Sequence, residues 1–478
     1  MNKKWAEKEL EGCDLGDERL NHRLMRLAER FSHAPESPIN QACQNWADTK
    51  AAYRFFQNKN VSHQNILTSH VEATKERAEE SSVILGIQDT TYFNYSSHPK
   101  TTGLCALSRN KGKHKKDIVT TGLVMHTTLA VSTEGLPLGI LNQKIYSRPP
   151  LSEEKRALKK RSHNVAIPIE EKESFRWLEC LQETQNVFKA QSTQIVTVCD
   201  READIYDFFR LAHKLKAPVL VRASHNRTVN KKSTYSELTG EKLWNLLVNT
   251  KSRGSIKLDI PAQEDQPSRS ATCKVKIKEF TLNPPKNHTE KHIEKLPFLK
   301  IHAIHISENN PPKGFVPIDW MLLYNLPIKN FKEALEKIKW YCMRWRIEVF
   351  HKVLKSGLKV EDCRLATADR LIRYLTLMSI VAWRIFWITL VARVAPNSSC
   401  LLFLSNMEWK VLFFQRNKNI KMPNQPPSTK DAVQWIAQLG GFLARKGDLS
   451  PGIKHVWRGL KKFSNLIEGV EIAKGICG

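Results

Sequence analysis

The sequence predicts a protein of the α/β class in which helical segments flank a central sheet. Between residues 75 and 225, apolar strand-like runs come first and then alternate with helical stretches, as in a layered α/β fold. Residues 1–70 and 356–478 instead carry apolar side chains at the spacing of amphipathic helices. Residues 226–330 are mostly strand-like runs with lysine-rich turns, so we expect a β-rich insertion within the sheet domain.

The N-terminal segment, residues 1–70, is predicted to be helical and basic. A helix begins near Leu15 and carries leucines on one face. Its other face holds arginines at intervals of three and four residues, which are Arg19, Arg23, Arg26 and Arg30. The residues alone leave two interpretations open: an ordinary solvated face, or a face that contacts DNA phosphates.

Residues 71–225 contain two buried strands that end at carboxylates. The run Val83–Ile87 is followed by Asp89, and the run Ile195–Cys199 is followed by Asp200. A carboxylate at the end of an apolar strand lies at the edge of the sheet, where α/β folds build active sites. The alternative for Asp200 is that it only begins the next helix, because aspartate also caps helices and starts turns.

The segment between the two aspartates predicts a long hairpin over residues 118–131 and 136–145, after which helix alternates with strand. This order fits a sheet of the RNase H type, in which the first and fourth strands are neighbours. Such a sheet would bring Asp89 and Asp200 together. The stretch 110–116 is a dense basic loop without the P-loop pattern, which suits either phosphate contact or solubility.

The insertion, residues 226–330, includes a strand that starts at Trp320. Taken alone, a tryptophan there is more often part of a core than a platform for a base. Two histidine pairs in the segment are disfavoured as metal ligands, because one lies in a turn-like stretch and the other would face opposite sides of a strand. These histidines are His288, His292, His302 and His305.

The segment Phe331–Lys355 has neither proline nor glycine and is predicted to be a helix. One face carries Tyr341, Arg344, Glu348 and Lys355, and apolar side chains occupy the opposite face. The polar face is either a solvated set of ion pairs or a reactive surface.

Glu348 would complete a set of three carboxylates with Asp89 and Asp200, so residues 331–370 are assigned to the catalytic domain. Carboxylate oxygens are the ligands that Mg²⁺ and Mn²⁺ prefer. Two such ions, about 3.5–4 Å apart, would activate a water or a 3′-hydroxyl and stabilise the leaving oxygen in phosphodiester chemistry.

Composition points to a polyanionic partner. The 478 residues carry a formal net charge of +27, which makes nucleic acid the expected partner and a membrane surface the competing one. The apolar stretch Tyr374–Val394 has Arg384 at its middle, which is costly in a bilayer, so we predict a buried core helix. The N-terminus lacks a signal peptide, and the ten cysteines form no C-x-x-C pair, which fits a reduced cytoplasmic protein without a zinc ribbon.

Four short motifs carry a resemblance to a known family. They are Asp200-Arg201-Glu202-Ala203-Asp204, the set Tyr341, Arg344, Glu348 and Lys355, the triplet Asp89-Thr90-Thr91, and Asn310–Gly314 followed by Trp320. The first matches a DREAD box and the second a Y-(2)-R-(3)-E-(6)-K signature. Together they resemble bacterial insertion-sequence DDE transposases of the cut-and-paste, hairpin-forming kind, the insertion-sequence-four family. The resemblance extends from about Leu15 to the last helix.

The resemblance implies that Asp89, Asp200 and Glu348 are catalytic and hold two Mg²⁺ (or Mn²⁺) ions. Trp320 would stack on a flipped base, an interaction suited to an indole face, and Trp345 would assist it. The residues expected to contact DNA are Tyr341, Arg344, Lys355, Trp320, Trp345, Arg201, Arg222, Arg19, Arg23 and Arg26.

The resemblance also implies what each region does. Residues 1–70 would recognise the element ends, and the helical region 371–478 would join two protomers of a DNA-bound homodimer. Without the resemblance, the apolar stripes of residues 371–478 would be interpreted as closing that region's own core. The expected partners are double-stranded element ends and target DNA, not a membrane, in the bacterial cytoplasm at the nucleoid.

Three alternatives stay open at this point. The first is a structure-selective nuclease on the same fold, which hairpin products would separate from a transposase. The second is an inactive or truncated-type relative that binds DNA and inhibits transposition, for which loss of metal-dependent cleavage would argue. The third is a basic membrane-surface protein, which liposome binding without DNA binding would support.

Overall fold

The structure is a computed structural model. It describes residues 4–111, 117–148, 167–189, 191–230, 240–260, 267–285, 288, 296–417 and 421–477. Residues 112–116 of the predicted basic loop, most of the loop predicted at 148–168, and His292 lie outside the described residues. The chain divides into two compact units. The first comprises residues 1–80, 90–149 and 346–478, and the second comprises residues 81–89 and 150–345.

Helices and strands follow each other in the order that the sequence predicts for a mixed α/β chain. The α-helices are α1 (Trp5–Glu9), α2 (Glu18–His33), α3 (Ile39–Cys43), α4 (Trp46–Gln57), α5 (His63–Glu79), α6 (Phe175–Val187), α7 (Tyr206–Leu215), α8 (Leu243–Val248), α9 (Phe331–Met343), α10 (Trp345–Lys352), α11 (Ala368–Val394), α12 (Asn406–Arg416), α13 (Thr429–Leu439) and α14 (Ile453–Cys477). The strands are β1 (Val83–Asn94), β2 (Cys105–Lys111), β3 (Asp117–Ser132), β4 (Pro137–Tyr146), β5 (Gln194–Cys199), β6 (Val219–Arg222), β7 (Thr228–Val229), β8 (Glu241–Lys242), β9 (Ser252–Ile260), β10 (Arg269–Leu282), β11 (Leu299–Glu308) and β12 (Asp319–Tyr324).

Side chains that cap helix N-termini explain where many helices begin. In each case a short polar side chain accepts a hydrogen bond from a backbone N–H of the first turn, which has no partner within the helix. These caps are Asp17, Asn45, Ser62, Asn330, Thr367, Ser405 and Ser428. Local sequence therefore fixes these boundaries before any tertiary packing is considered.

Helix α11 is the central element of the first unit, where it packs against α2, α5 and strand β4. Polar groups along the contact with β4 are paired: Gln143 Nε2 donates to Ser379 Oγ at 3.1 Å, and Trp383 Nε1 donates to the Pro137 carbonyl at 2.9 Å. Arg384 lies over the Trp5 ring at 4.5 Å, and burial lowers its pKa to about 10. The predicted buried helix is thus observed.

The same helix meets the length and composition of a membrane span. Among the described residues it is the one helix that does so, with a mean hydropathy of 1.8 over its most apolar window. However, 83% of that window is buried inside the protein, which is the arrangement of a core helix.

The second unit is built on a mixed sheet. Its strand order is β1-β5-β6-β12-β11-β10-β7-β8, with β9 paired to β10. Strands β1, β5 and β6 are parallel, whereas β6/β12, β12/β11 and β11/β10 are antiparallel. Helices α6 and α7 cover one face, where Trp177, Phe208 and Phe209 are buried. Strands followed by alternating helix and strand, with a β-rich insertion, make this the RNase H-like fold expected from the sequence.

Three elements differ from the sequence prediction. Strand β1 continues to Asn94, so Asp89 lies within this strand and not at its end as predicted. The pairing of β1 with β5 stops at Ile87, but β1 also lies beside β3, which extends it. Strand β2 lies in a stretch for which no strand was predicted, and it pairs with β3. The helix predicted for Phe331–Lys355 is divided: α9 ends at Met343, α10 ends at Lys352, and a π-helical turn covers Val353–Gly357. Lys355 therefore lies on the π turn, and the 3.6-residue period does not place its side chain.

Helices α13 and α14 cross at two glycines of the first unit. A Cβ atom at Gly459 would lie 1.8 Å from the Ile436 carbonyl oxygen, and one at Gly440 would lie 1.9 Å from the His455 carbonyl oxygen. Because both neighbours are backbone atoms, neither can move aside without shifting a helix. Gly469, on the same helix α14, has no heavy atom within 4 Å of its Cβ position.

We expect Gly459→Ala to destabilise the protein by about 1–3 kcal/mol, because overpacking forces the two helices apart. Gly469→Ala is the matched control and should stabilise α14 by about 0.5–1 kcal/mol, because alanine is the better helix former. Thermal melting followed by circular dichroism measures both. Equal melting temperatures for the two variants would contradict the close crossing.

Candidate active site

Two of the predicted carboxylates lie on neighbouring parallel strands of the second unit. Ile87 of β1 pairs with Val198 of β5, and Asp89 and Asp200 each follow two residues later. The two aspartates therefore occupy equivalent positions on adjacent strands. The Cys199 thiol is near both of them: burial raises its pKa well above the usual value, and the charges of Asp200 and Asp89 raise it further. A buried neutral thiol in this position packs into the core beneath the site.

The DREAD segment, residues 200–204, forms a short turn that is held by a hydrogen bond from its first aspartate and by an ion pair of its glutamate. Asp200 Oδ1 accepts a hydrogen bond from the Glu202 backbone N–H at 2.8 Å, which starts a 3₁₀ turn over Arg201–Ala203. Glu202 is held by Arg176 at 2.7 Å, and Ala203 is fully buried. Asp200 thus caps a turn, as the alternative interpretation stated, and the same turn holds it beside the strand that carries Asp89.

Three predicted DNA-contacting residues form a cluster next to Asp200. Arg222, at the end of β6, lies over the Trp320 ring at 5.8 Å and donates a hydrogen bond to the Asp319 carbonyl oxygen at 3.4 Å. Trp320 and Tyr341 meet edge to face, with ring centroids 5.5 Å apart. Tyr341 is buried, and that burial raises its pKa, with Asp200 adding to the effect. The guanidinium therefore lies over one aromatic ring, and the second ring of the pair, Tyr341, is close enough to Asp200 to feel its charge.

Arg222 is not the only positive charge near this cluster, because Arg201 and Arg344 lie close to it. The pKa of Arg222 is lowered by burial, and Arg201 and Arg344 lower it further because like charges disfavour each other. Arg344 continues the helical backbone after α9, with φ −51° and ψ −33°. Arg201 is exposed on the 3₁₀ turn. The second unit thus collects three guanidinium groups around the aspartate edge of its sheet, an arrangement that suits phosphate groups.

Glu348 and Lys355 belong to the first unit. Glu348 lies half-buried in α10, four residues beyond Arg344 along the chain, while Ile347 and Phe350 of the same helix are fully buried. Lys355 Nζ lies 5.7 Å over the Phe93 ring, and burial lowers its pKa. The π turn that carries Lys355 packs closely on α14, since a Cβ at Gly357 would lie 3.0 Å from the Trp457 ring. Trp345, just before this unit, is 51% exposed.

The donor chemistry of the aspartate edge fits Mg²⁺ or Mn²⁺. Asp89 and Asp200 offer only carboxylate oxygens, and the neighbouring Cys199 is a buried thiol whose raised pKa keeps it protonated. Within the described part of the chain, no group of three His, Cys, Asp or Glu side chains is placed to hold a metal ion. The structure therefore shows the two aspartates as neighbours and does not show a three-carboxylate cluster.

The predicted basic face of α2 has an acidic partner that the sequence did not reveal. Asp48 of α4, with a side chain only 10% exposed, pairs with Arg23 at 3.1 Å, Arg26 at 2.6 Å and Arg30 at 3.5 Å. Those arginine side chains keep exposures of 30%, 54% and 27%. Arg19 pairs with Asp17 and is 91% exposed. The face is thus an ordered set of arginines with excess positive charge.

Family models match this chain over most of its length. A model described as transposase DNA-binding matches residues 2–61. A transposase DDE domain matches residues 160–384, and a Transposase Tn5 dimerisation domain matches residues 380–477. The chain belongs to the Tn5-type DDE transposases.

Membership of this family confirms the resemblance read from the motifs. The protein is a DDE transposase, an enzyme that cleaves and transfers DNA strands with divalent metal ions. It has a DNA-binding region and a dimerisation region. Asp200 and Glu348 fall inside the matched DDE segment, Asp89 precedes it, and the arginines of α2 fall inside the matched DNA-binding segment.

Proposed function

We propose that this transposase excises and inserts a mobile element by strand cleavage, hairpin formation and strand transfer at a single site built from Asp89, Asp200 and Glu348. The observation that supports this most strongly lies in the second unit, where Tyr341 feels the charge of Asp200 and packs against Trp320, which Arg222 overlies. Carboxylates and guanidinium groups in one place suit a reaction in which phosphates approach metal-binding oxygens.

In this proposal, the three carboxylates hold two Mg²⁺ (or Mn²⁺) ions per active site. When bound, such ions lower the pKa of a water or a 3′-hydroxyl and offset charge on the leaving oxygen. Asp200 caps the 3₁₀ turn with Oδ1, which accepts the Glu202 N–H. In this proposal, Oδ2 of Asp200 is the oxygen that binds a metal ion. The rigidity of β1 and β5 sets the spacing between Asp89 and Asp200.

Phosphate positioning falls to cations that flank the carboxylates. Arg222 and Arg344 are held by burial and by their contacts with Tyr341, so little conformational entropy is lost when a phosphate binds them. Arg201 is exposed on its turn, so it would contact the DNA backbone with a less fixed geometry than Arg222. Lys355, with a pKa lowered by burial, adds a further cation on the π turn.

Trp320 is proposed as the platform for a flipped base during hairpin formation. Its ring is already fixed on one side by Arg222 and at its edge by Tyr341, so its orientation is set before DNA arrives. Trp345 is half exposed and available to displace or stack a base. Such a platform is needed only when a strand end bends sharply back on itself.

End recognition is assigned to residues 1–70, with Arg19, Arg23 and Arg26 as phosphate contacts. The remaining segments are proposed as the catalytic domain over 71–225 and 331–370, the insertion over 226–330, and the dimerising region over 371–478. A homodimer would hold two double-stranded ends and the target DNA. We place the protein in the bacterial cytoplasm, at the nucleoid, and away from membranes.

The first test is cleavage of a supercoiled plasmid that carries the element's own terminal repeats, with Mg²⁺ present. Wild type should release the element with hairpin ends. Glu348→Ala should lose at least about a hundredfold of that activity, because it removes a carboxylate of the site. Gels under native and denaturing conditions separate linear, nicked and hairpin products, and Glu408→Ala on α12 serves as a carboxylate control.

Other outcomes of this assay would lead to different functions. Binding of the repeats without any cleavage by wild type would indicate a DNA-binding inhibitor of transposition. Cleavage that ignores the repeats would indicate a nuclease on the same fold.

A second test concerns Trp320. Trp320→Ala should leave first-strand nicking within about twofold of wild type but slow hairpin formation about tenfold or more, because a stacking platform contributes about 1–3 kcal/mol per base. Trp320→Phe retains an aromatic face and should recover much of the hairpin rate. Equal loss of nicking and hairpin formation in Trp320→Ala would show that this indole has no special role with a flipped base.

A further inference from the structure

A buried carboxylate that the proposed chemistry does not use lies four residues beyond Asp200. Asp204 is 2% exposed. Its Oδ2 accepts hydrogen bonds from the backbone N–H groups of Ser224 at 2.8 Å and His225 at 3.1 Å. Its other oxygen pairs with the Arg227 guanidinium, and that guanidinium also donates to the Asp204 carbonyl at 3.0 Å. All of these donors come from one short turn.

The position of this turn gives the carboxylate its significance. Residues 224–227 directly follow strand β6, which ends at Arg222. Asp204 itself ends the 3₁₀ turn that Asp200 begins. One side chain therefore ties the carboxyl end of β5 to the carboxyl end of β6, within four residues of Asp200 on one side and within five of Arg222 on the other.

A contribution to stability alone does not account for this arrangement well. A buried ion pair is costly to desolvate, and replacing one with apolar side chains is often neutral or stabilising. Ser224, His225 and Asn226 are exposed, so their backbone groups could be solvated by water instead. A buried carboxylate that accepts several hydrogen bonds instead fixes the geometry of the turn, because each bond restrains the turn in a different direction.

We infer that Asp204 is a positioning residue that, by holding the turn after β6, sets Arg222 against Asp200. The inference rests on the proposed function, in which Arg222 holds a phosphate beside the aspartates. Since β6 has only four residues, its end would otherwise be restrained mainly by pairing with β5 and β12. Loss of the restraint would let the guanidinium move relative to the carboxylates, and small misplacements at a reacting centre are costly.

The test is a double-mutant cycle on single-turnover cleavage of terminal-repeat DNA, with the full-length protein in excess and Mg²⁺ present. The four proteins are wild type, Asp204→Asn, Arg222→Ala and the double variant. Asp204→Asn should slow cleavage about tenfold or more when Arg222 is present and less than about twofold in the Arg222→Ala background, because the two residues act as a unit. The dissociation constant for the DNA should change less than the rate.

Two further variants keep the test decisive. Arg227→Gln breaks the ion pair while Asp204 keeps its backbone contacts, so it replaces Asp204→Asn in the cycle if that variant folds poorly. Asp207→Asn is the matched control, because Asp207 forms a similar part-buried pair at 2.7 Å, but with His288 and from helix α7. It should leave the cleavage rate within about twofold of wild type.

Each outcome has one meaning. Equal fold losses in the two backgrounds would show that Asp204 acts through general stability and would overturn the inference. A cleavage rate insensitive to Arg222→Ala would overturn it as well. Absence of cleavage by wild type would instead count against the proposed function itself.

Discussion

The structure of the second unit depends on the parallel pairing of β1 with β5, which places two aspartates at equivalent positions on adjacent strands. Two like charges on neighbouring strands repel each other, so this pairing costs free energy unless cations lie nearby. The chain supplies them from three different elements: Arg201 from the turn after β5, Arg222 from the end of β6 and Arg344 from the end of α9. A protein that needed the sheet only for stability would have no reason to concentrate both charges at one edge.

In the proposed function, the same cations prepare the site for its substrate. Arg222 lies over the Trp320 ring and is bonded to the Asp319 carbonyl, so it has fewer rotamers than a surface arginine and presents a planar donor in a more defined direction. In the first unit, Asp48 does something comparable for three arginines of α2, which it gathers without neutralising them all. In the first unit, therefore, a carboxylate orients guanidinium groups that carry more positive charge than it cancels, whereas in the second unit an aromatic ring and a backbone carbonyl orient Arg222.

The parts of this molecule that the sequence predicts are those set by local patterns. The end of β5 at Asp200, the hairpin of β3 and β4, and the buried helix α11 follow from runs and periods that a short window contains. The prediction that Asp89 ends its strand was wrong, because β1 continues to Asn94. Strand β2 and the π turn after α10 do not follow from such runs, because a pairing partner or a close contact such as Gly357 with Trp457 decides them. The arginine partners of Asp48 and Asp204 were not predicted for the same reason: they lie 18 to 25 residues away. Family motifs supplied the roles of Trp320 and Lys355, which spacing alone left open.

The most direct test of this account is a measurement of Mn²⁺ binding, by isothermal titration or electron paramagnetic resonance, to the wild-type protein and to Asp89→Asn, Asp200→Asn and Glu348→Gln. These substitutions keep side-chain volume and remove one charge each. The account predicts that every one of them weakens Mn²⁺ binding about tenfold or more, because each removes an oxygen ligand with its charge. Unchanged Mn²⁺ affinity in the Asp89→Asn and Asp200→Asn variants would contradict it, since the pair of aspartates on β1 and β5 would then not be a metal site.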